Sequence, residues 1–220
     1  MINIHHHLGL GDHIVCNGLV REMYNKHTSL NLYCKKQNLE SVSFMYRDLP
    51  NLEITTVDSD EDVVMEKNLL RVGFEHAYFY KNSLNITWDE SFYKQCNIDF
   101  HKRWSSFFFL RDEDLEKKLF YKLNPDREPF SLIHSIGSDG FERVDKSLIR
   151  KDLKQIEIKK NHTGNIFDYS SLIESAQQVH CADSSFKHLI DSFSLKSQLF
   201  YHNTPARGAP HKSKNDWKTV

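Results

Sequence analysis

Apolar residues fall along this chain in two alternating rhythms, one of strands and one of helices. Residues 2–6 read as a short strand running into a glycine turn, after which Ile14, Leu19 and Met23 recur at helical spacing through about His27. The segment 29–36 is strand-like, with Leu30, Leu32 and Cys34 on one face. Residues 39–49 predict a helix ended by Pro50, and 51–57 predict another strand. Asp58 to Asp62 caps a further helix, and 75–80 forms a fourth strand. From Trp88 to Leu123 the pattern turns helical, including the charged helix 112–123 ahead of Pro125 and Pro129. Alternation then resumes, with strands over 130–135 and 154–160 and a polar glycine-containing loop at 136–142. A helix over 169–178, the apolar-to-polar segment 179–185, a helix over 186–193 and a last strand over 197–202 follow.

Strands alternating with helices predict an α/β protein with parallel sheets. The interruption near 124–129 divides it into two Rossmann-like units in tandem. The N-terminal unit is 1–123 with its helical connection, the C-terminal unit is 130–204, and 205–220 is a tail. Each unit carries a loop at the carboxyl end of its first strand, and the expectation is a cleft between them.

Composition narrows the function. Lys plus Arg number 29 against 30 Asp plus Glu, so no global field draws the chain to nucleic acid or an anionic membrane. No apolar run is long enough for a transmembrane segment, and the first residues do not form a secretory leader. Cys16, Cys34, Cys96 and Cys181 are widely spaced with no C-x-x-C pair, which predicts free thiols in the cytoplasm. No G-x-S-x-G, Walker lysine or H-E-x-x-H motif occurs, leaving hydrolase, P-loop and zincin readings unsupported.

The stretch "HHHLGLGDHIV" (5–15) admits three readings: a tag scar, a metal site or a phosphate-binding turn. Alternation along a strand sends His5 and His7 one way and His6 the other, which disfavours one shared ion, and no metal site is assigned. Gly9 and Gly11 between strand and helix allow close ligand approach, and the following helix start favours an anion. A dinucleotide fingerprint needs a third glycine at position 14, which is Ile14. Asp12 is either the helix N-cap or a cleft carboxylate that accepts a proton from an attacking hydroxyl.

The second informative stretch is "CADSSFKHLIDSF" (181–193). One of Asp183, Ser184 and Ser185 is explained as a helix cap. Together with His188 one turn in, they also make a diphosphate cradle at a helix start. Arg143, after the fifth strand, is either a phosphate partner or a solvated surface arginine. Lys102-Arg103-Trp104 reads as packing rather than acceptor contact, and the run 107–110 reads as core.

The strand–"GLGD"–helix opening, the mid-chain strand–"HS"–glycine loop and the late "AD-S-S-x-x-H-L" segment resemble the two-Rossmann glycosyltransferases of the GT-B type. Within them the chain is similar to the heptosyltransferase-like (family 9-like) branch. The resemblance implies Asp12 as catalytic base and Asp183, Ser184, Ser185 and His188 as the donor-diphosphate segment. His134 and Ser135 would be the phosphate-side loop. It further implies transfer of a sugar from a nucleotide-sugar co-substrate to a hydroxyl acceptor, a glycan or lipid-linked saccharide, with no other cofactor and no metal. Two rival readings share the fold: a non-catalytic binding or assembly protein, and another nucleotide-dependent enzyme such as an oxidoreductase or epimerase.

Overall fold

The computed structural model describes residues 1–65, 67–74, 86–137, 139–203 and 211–220. The chain folds as two compact α/β units. The first takes Met1–Leu110 together with His211 and Lys212; the second runs from Arg111 and takes back the chain from Ser213 to Val220.

The first unit runs β1 (Ile2–His6), α1 (Leu10–Val15), α2 (Asn17–Lys26), β2 (Leu30–Lys35), α3 (Leu39–Met45) and β3 (Leu52–Val57). A single 3-10 turn (Asp60–Asp62), β4 (Leu69–Val72), α4 (Trp88–Gln95) and α5 (Lys102–Ser105) follow. Its sheet is parallel, in the order β3-β2-β1-β4. Ile4 pairs with Leu32 on one side and Leu70 on the other, and Ile4, Leu30, Leu32 and Val72 are fully buried. β1 and β2 are buried along almost their whole length, as strands covered on both faces are, while β3 alternates at the edge of the sheet. Each buried Leu, Ile or Val contributes about 1.5–3 kcal/mol to the fold.

Several expectations change here. The helix predicted from Ile14 to His27 is two helices, because Cys16 (φ −84°, ψ 0°) opens the turn between them. Asp58 to Asp62 caps no α-helix among the described residues; Asp60–Asp62 is a 3-10 turn, which Ser59 and Asp62 close as a reciprocal cap, and β4 follows. The strand expected at 75–80 lies outside the described residues; the fourth strand of the sheet is β4. Of the run 107–110 only Phe109 is buried, while Phe108 and Leu110 are half exposed. The Phe108 backbone is what the fold uses: Asn17 bonds both its carbonyl and its N–H, and Arg21 Nε donates to the same carbonyl.

The second unit runs α6 (Glu113–Leu123), β5 (Phe130–His134), β6 (Lys154–Glu157), α7 (Ser170–Ser175), β7 (Gln178–Ala182), α8 (Ser185–Ser192), β8 (Gln198–His202) and β9 (Trp217–Thr219). Its sheet is also parallel, in the order β6-β5-β7-β8-β9. Leu132, Val179 and Cys181 form its core with Leu172 and Ile173 of α7 and Leu189 and Ile190 of α8.

The division between units falls at Leu110/Arg111 rather than at 124–129. Helix α6 belongs to the second unit because its buried Glu116 accepts from Arg111 Nε (2.9 Å) and from Ser171 Oγ of α7 (2.7 Å). The expected tail is also structured. In the first unit Lys212 is gripped by the buried Arg103–Asp89 ion pair: Arg103 Nη1 donates to its carbonyl (2.9 Å) and its N–H donates to Asp89 Oδ2 (3.2 Å). In the second unit the fully buried Asp191 accepts from the N–H groups of Lys214 (3.1 Å) and Asn215 (3.2 Å) and from the Trp217 indole (3.0 Å), which seats β9 beside β8. Among the described residues no helix is long and apolar enough to cross a membrane.

Candidate functional site

In an open parallel sheet, ligands bind beyond the carboxyl ends of the strands, where the strand order reverses. In the second unit that point lies between β5 and β7. Their register sets His134, the last residue of β5, against Cys181, so the turn after β7 begins beside the loop after β5. Ser184 Oγ lies 3.1 Å from His134 Nδ1 and bonds it. Burial pushes the His134 imidazole down to about 4, so it is neutral near pH 7, and its ring packs on Phe186 of α8 at 4.6 Å.

Ser184 occupies the N-cap position of α8, yet its side chain makes no cap bond. The hydroxyl faces the strand end instead, and the first-turn N–H groups of α8 are not closed by it. The loop after β5 closes on the same point. A Cβ on Gly137 would crowd Asp139 Oδ1 of its own loop at 2.8 Å and make an ordinary contact with the Asp183 carbonyl oxygen at 3.6 Å, which places the loop beside the turn after β7. Arg143 returns the loop through its N–H to the Ser135 carbonyl (2.8 Å), and its guanidinium pairs with Asp139 (2.7 Å) over the Phe141 ring.

His134, Gly137, Arg143, Asp183 and Ser184 therefore meet at one place, with the part-exposed Ser185 opening the helix. His188 is buried one turn further along α8. Ser135 is drawn away, since its hydroxyl donates to Glu157 Oε1 at the end of β6 (2.6 Å). Glu157 borders a cavity of about 400 Å³ whose wall also includes Ile133, Lys146, Lys159 and His162. Sequence reasoning missed Glu157: β6 is polar at three of its four positions, and nothing local marks its last carboxylate.

In the first unit the order reverses between β1 and β4, next to the glycine turn. The three histidines go to three places. His5 Nε2 bonds Asp60 Oδ1 (2.8 Å), and His6 Nδ1 donates to the His7 carbonyl (2.7 Å) while its ring meets His13. His7 packs between Phe74 and Trp88, with Nε2 3.3 Å from the Gly73 carbonyl. Among the described residues no group of three His, Cys, Asp or Glu is placed to hold one metal ion.

Asp12 is not the N-cap of α1; Gly9 is, and Asp12 is the third helical residue. Its carboxyl lies against Gly9, and the Gly9 backbone N–H helps to hold it charged. A Cβ on Gly9 would stand 2.5 Å from Asp12 Oδ2, so glycine is what lets the carboxylate lie there. Gly11, beside it in the first turn, is part-exposed. Burial pushes the Asp12 carboxyl up to about 7, with the Asp60 charge adding to it and the Gly9 N–H and Lys35 opposing it. A carboxyl that titrates near neutrality is matched to taking a proton from a hydroxyl.

No protein-family profile matches the chain, and no curated protein matches it in sequence. Solved structures do match it in fold. A family 9 glycosyl transferase from Veillonella parvula superposes with a TM-score of 0.56 at 9% identity, over 99% of this chain and 87% of that one. The ADP-heptose lipopolysaccharide heptosyltransferase II of E. coli matches with a TM-score of 0.50 at 9% identity, over 100% and 90%. The iron-containing dodecameric glycosyltransferase TibC of enterotoxigenic E. coli matches with a TM-score of 0.51 at 13% identity, over 91% of this chain and 57% of that one. The chain thus has the GT-B-type, heptosyltransferase-like fold of two Rossmann-like units.

Proposed function

We propose that the chain is a glycosyltransferase that moves a sugar from a nucleotide-sugar donor to a hydroxyl of a saccharide acceptor. One observation carries the reading: the Ser184–His134 hydrogen bond at the β5/β7 reversal point, beside the first turn of α8. That turn offers backbone N–H groups and the Ser185 hydroxyl to an anion, and the fold is one whose solved neighbours are glycosyltransferases. The donor diphosphate sits there, with Asp183 and Gly137 shaping the approach and His188 supporting the helix. Arg143 reaches the phosphates by leaving Asp139. The nucleoside extends toward the cavity bordered by Glu157.

Chemistry then follows from charge. The acceptor hydroxyl gives its proton to Asp12 as its oxygen bonds to the anomeric carbon. The bond from that carbon to the diphosphate oxygen breaks, and the electron pair leaves with the diphosphate. Helix N–H groups and hydroxyls aimed at the leaving oxygen stabilise the charge that develops. Four free cysteines fit a cytoplasmic setting, where thiols stay reduced.

The test is a thermal-shift screen against nucleoside diphosphates and their sugars, followed by a transfer assay with each donor that binds. A ligand at one hundred times its dissociation constant adds about 2.7 kcal/mol of stability. Absence of any such shift sinks the donor site, and binding without transfer leaves a non-catalytic sugar-nucleotide binder.

A further inference from the structure

Two buried histidines of the second sheet, His180 and His202, have no part in the chemistry above. The register sets His180 of β7 beside Phe200 of β8, and Ala182 beside His202, so both imidazoles lie on one face of the sheet. His180 stacks on the Phe200 ring at 4.6 Å, and its Nδ1 lies 3.0 Å from His202 Nε2. The Asp145 N–H donates to His202 Nδ1 (3.2 Å). That last bond decides where the protons sit. His202 Nδ1 is an acceptor and therefore bare, so its proton is on Nε2 and is donated to His180 Nδ1. His180 then carries its own proton on Nε2, which is buried with no partner among the described residues. An unpaired buried donor costs stability. What the pair supplies in exchange is a fixed acceptor for the loop after β5.

That acceptor holds the segment carrying Arg143. Three successive residues are pinned there: the Arg143 N–H on the Ser135 carbonyl (2.8 Å), Val144 in a buried cluster with Ile133 and Ile149, and the Asp145 N–H on His202. Arg143 Nη2 donates to Asp139, while its Nε is buried with no partner among the described residues. We infer that His202, kept in one tautomer by His180, is a positioning residue that holds Arg143 for the donor diphosphate through the backbone of Asp145. The inference rests on the donor-site reading of Arg143 given above.

The same bonds make the anchor sensitive to acid. While the bond between the rings stands, one added proton ends on His202 Nδ1 whichever ring bears the charge, and the acceptor for Asp145 is gone. Burial holds both imidazoles below their ordinary range, His180 at about 4, so the anchor is intact near neutrality. The charged groups around the pair are engaged elsewhere. The Asp145 carboxylate accepts from the Ser147 N–H (2.9 Å), Lys146 pairs with Glu142, and Arg150 pairs with Asp152. Glu157 accepts from Ser135, and Lys218 of β9 lies 5.4 Å from the centre of the Phe200 ring.

The experiment pairs calorimetry of ADP, UDP and pyrophosphate binding with hydrogen exchange at the Asp145 amide, both on the full-length protein. His202→Gln keeps a donor for His180 but leaves no acceptor at the Nδ1 position, whereas His202→Asn puts Oδ1 there. His202→Gln speeds exchange at Asp145 and weakens the probes roughly tenfold, the scale of one hydrogen bond to a charged group. His202→Asn restores both. In an Arg143→Met background His202→Gln costs no further affinity, which a merely structural role would not produce. As pH falls from 6.5 toward about 4, wild type loses affinity faster than His202→Asn, whose amide does not titrate. The comparison cancels titration of the probes' own phosphates. Equal affinity of wild type and folded His202→Gln overturns the inference, as does an equal loss with and without Arg143. Failure of the donor-site reading shows separately, as a wild type that binds none of the three probes, and it takes the inference with it.

Discussion

Ser184 Oγ and His134 Nδ1, fifty residues apart in the chain, share a 3.1 Å hydrogen bond that joins the start of α8 to the end of β5. The bond takes the oxygen that ordinarily caps a helix and places it at the mouth of the sheet. One double variant separates capping from binding.

Ser184→Ala together with Ser185→Ala weakens nucleoside diphosphate binding by roughly 1–3 kcal/mol, the range for hydrogen bonds to a charged group. Calorimetry reads it. Because Ser184 makes no cap bond, the helix loses none of the roughly 1 kcal/mol that a cap provides. Unchanged affinity in the folded variant removes the donor role of this segment.

Gly9→Ala tests the carboxylate by geometry rather than by charge. The added methyl meets Asp12 Oδ2 at 2.5 Å and displaces it, with backbone angles that any residue adopts. Turnover falls by roughly 10²-fold or more, as for loss of a positioned base, while donor affinity holds. Asp12→Asn loses roughly 10²- to 10⁴-fold by the same measure. Transfer near the wild-type rate in Asp12→Asn means that Asp12 is not the base.

Stability and pH are linked through the same residue. Asp12 has an ordinary value of 3.8 and is pushed up to about 7 in the fold. Between those values the folded chain holds the proton longer than the unfolded one, so this group's stabilisation is full below 3.8 and is lost as pH rises through 7. Asp12→Asn therefore raises the melting temperature at pH 8 relative to wild type more than it does at pH 4. Melting curves at the two values decide it.

Buried histidines act with the opposite sign. His6, His134 and His180 are each pushed by burial from 6.5 down to about 4. The unfolded chain binds their protons first, so stability falls as pH drops from 6.5 toward 4. Acid unfolding should be steep in that window, and His134→Gln should make it shallower. An acid limb of equal slope in that variant shows that His134 does not contribute.

Much of this architecture is legible from residue order, for a reason that particular strands make plain. β1, β2, β5 and β7 each carry spaced apolar residues and are buried along almost their whole length, and turn residues bound them clearly. β9 was not legible: Trp217–Thr219 is three residues long, and only its bond to Asp191 and its place beside β8 make it a strand. The place of α6 in the second unit was missed because the polar Glu116 is held there by Ser171, fifty-five residues on, a partner that no local pattern reveals. At the candidate site, Asp12, Ser184 and His134 stood out as residue types at strand ends. The pairing of Ser184 with His134 did not, because it depends on the parallel register of His134 with Cys181. Glu157 was invisible for the same reason: it matters through Ser135, a neighbour distant in sequence.

The seating of β9 has a practical side. With Asp191 holding Lys214, Asn215 and Trp217, the last strand shields the backbone edge of β8. A chain shortened after Lys212, or an Asp191→Ala variant, uncovers a ready template for strand addition by another molecule. Such proteins should form soluble aggregates on size-exclusion chromatography before any change in catalysis is measurable. Handling of the protein is thereby constrained: an affinity handle fused directly after Thr219 strains the very contacts that keep the molecules apart.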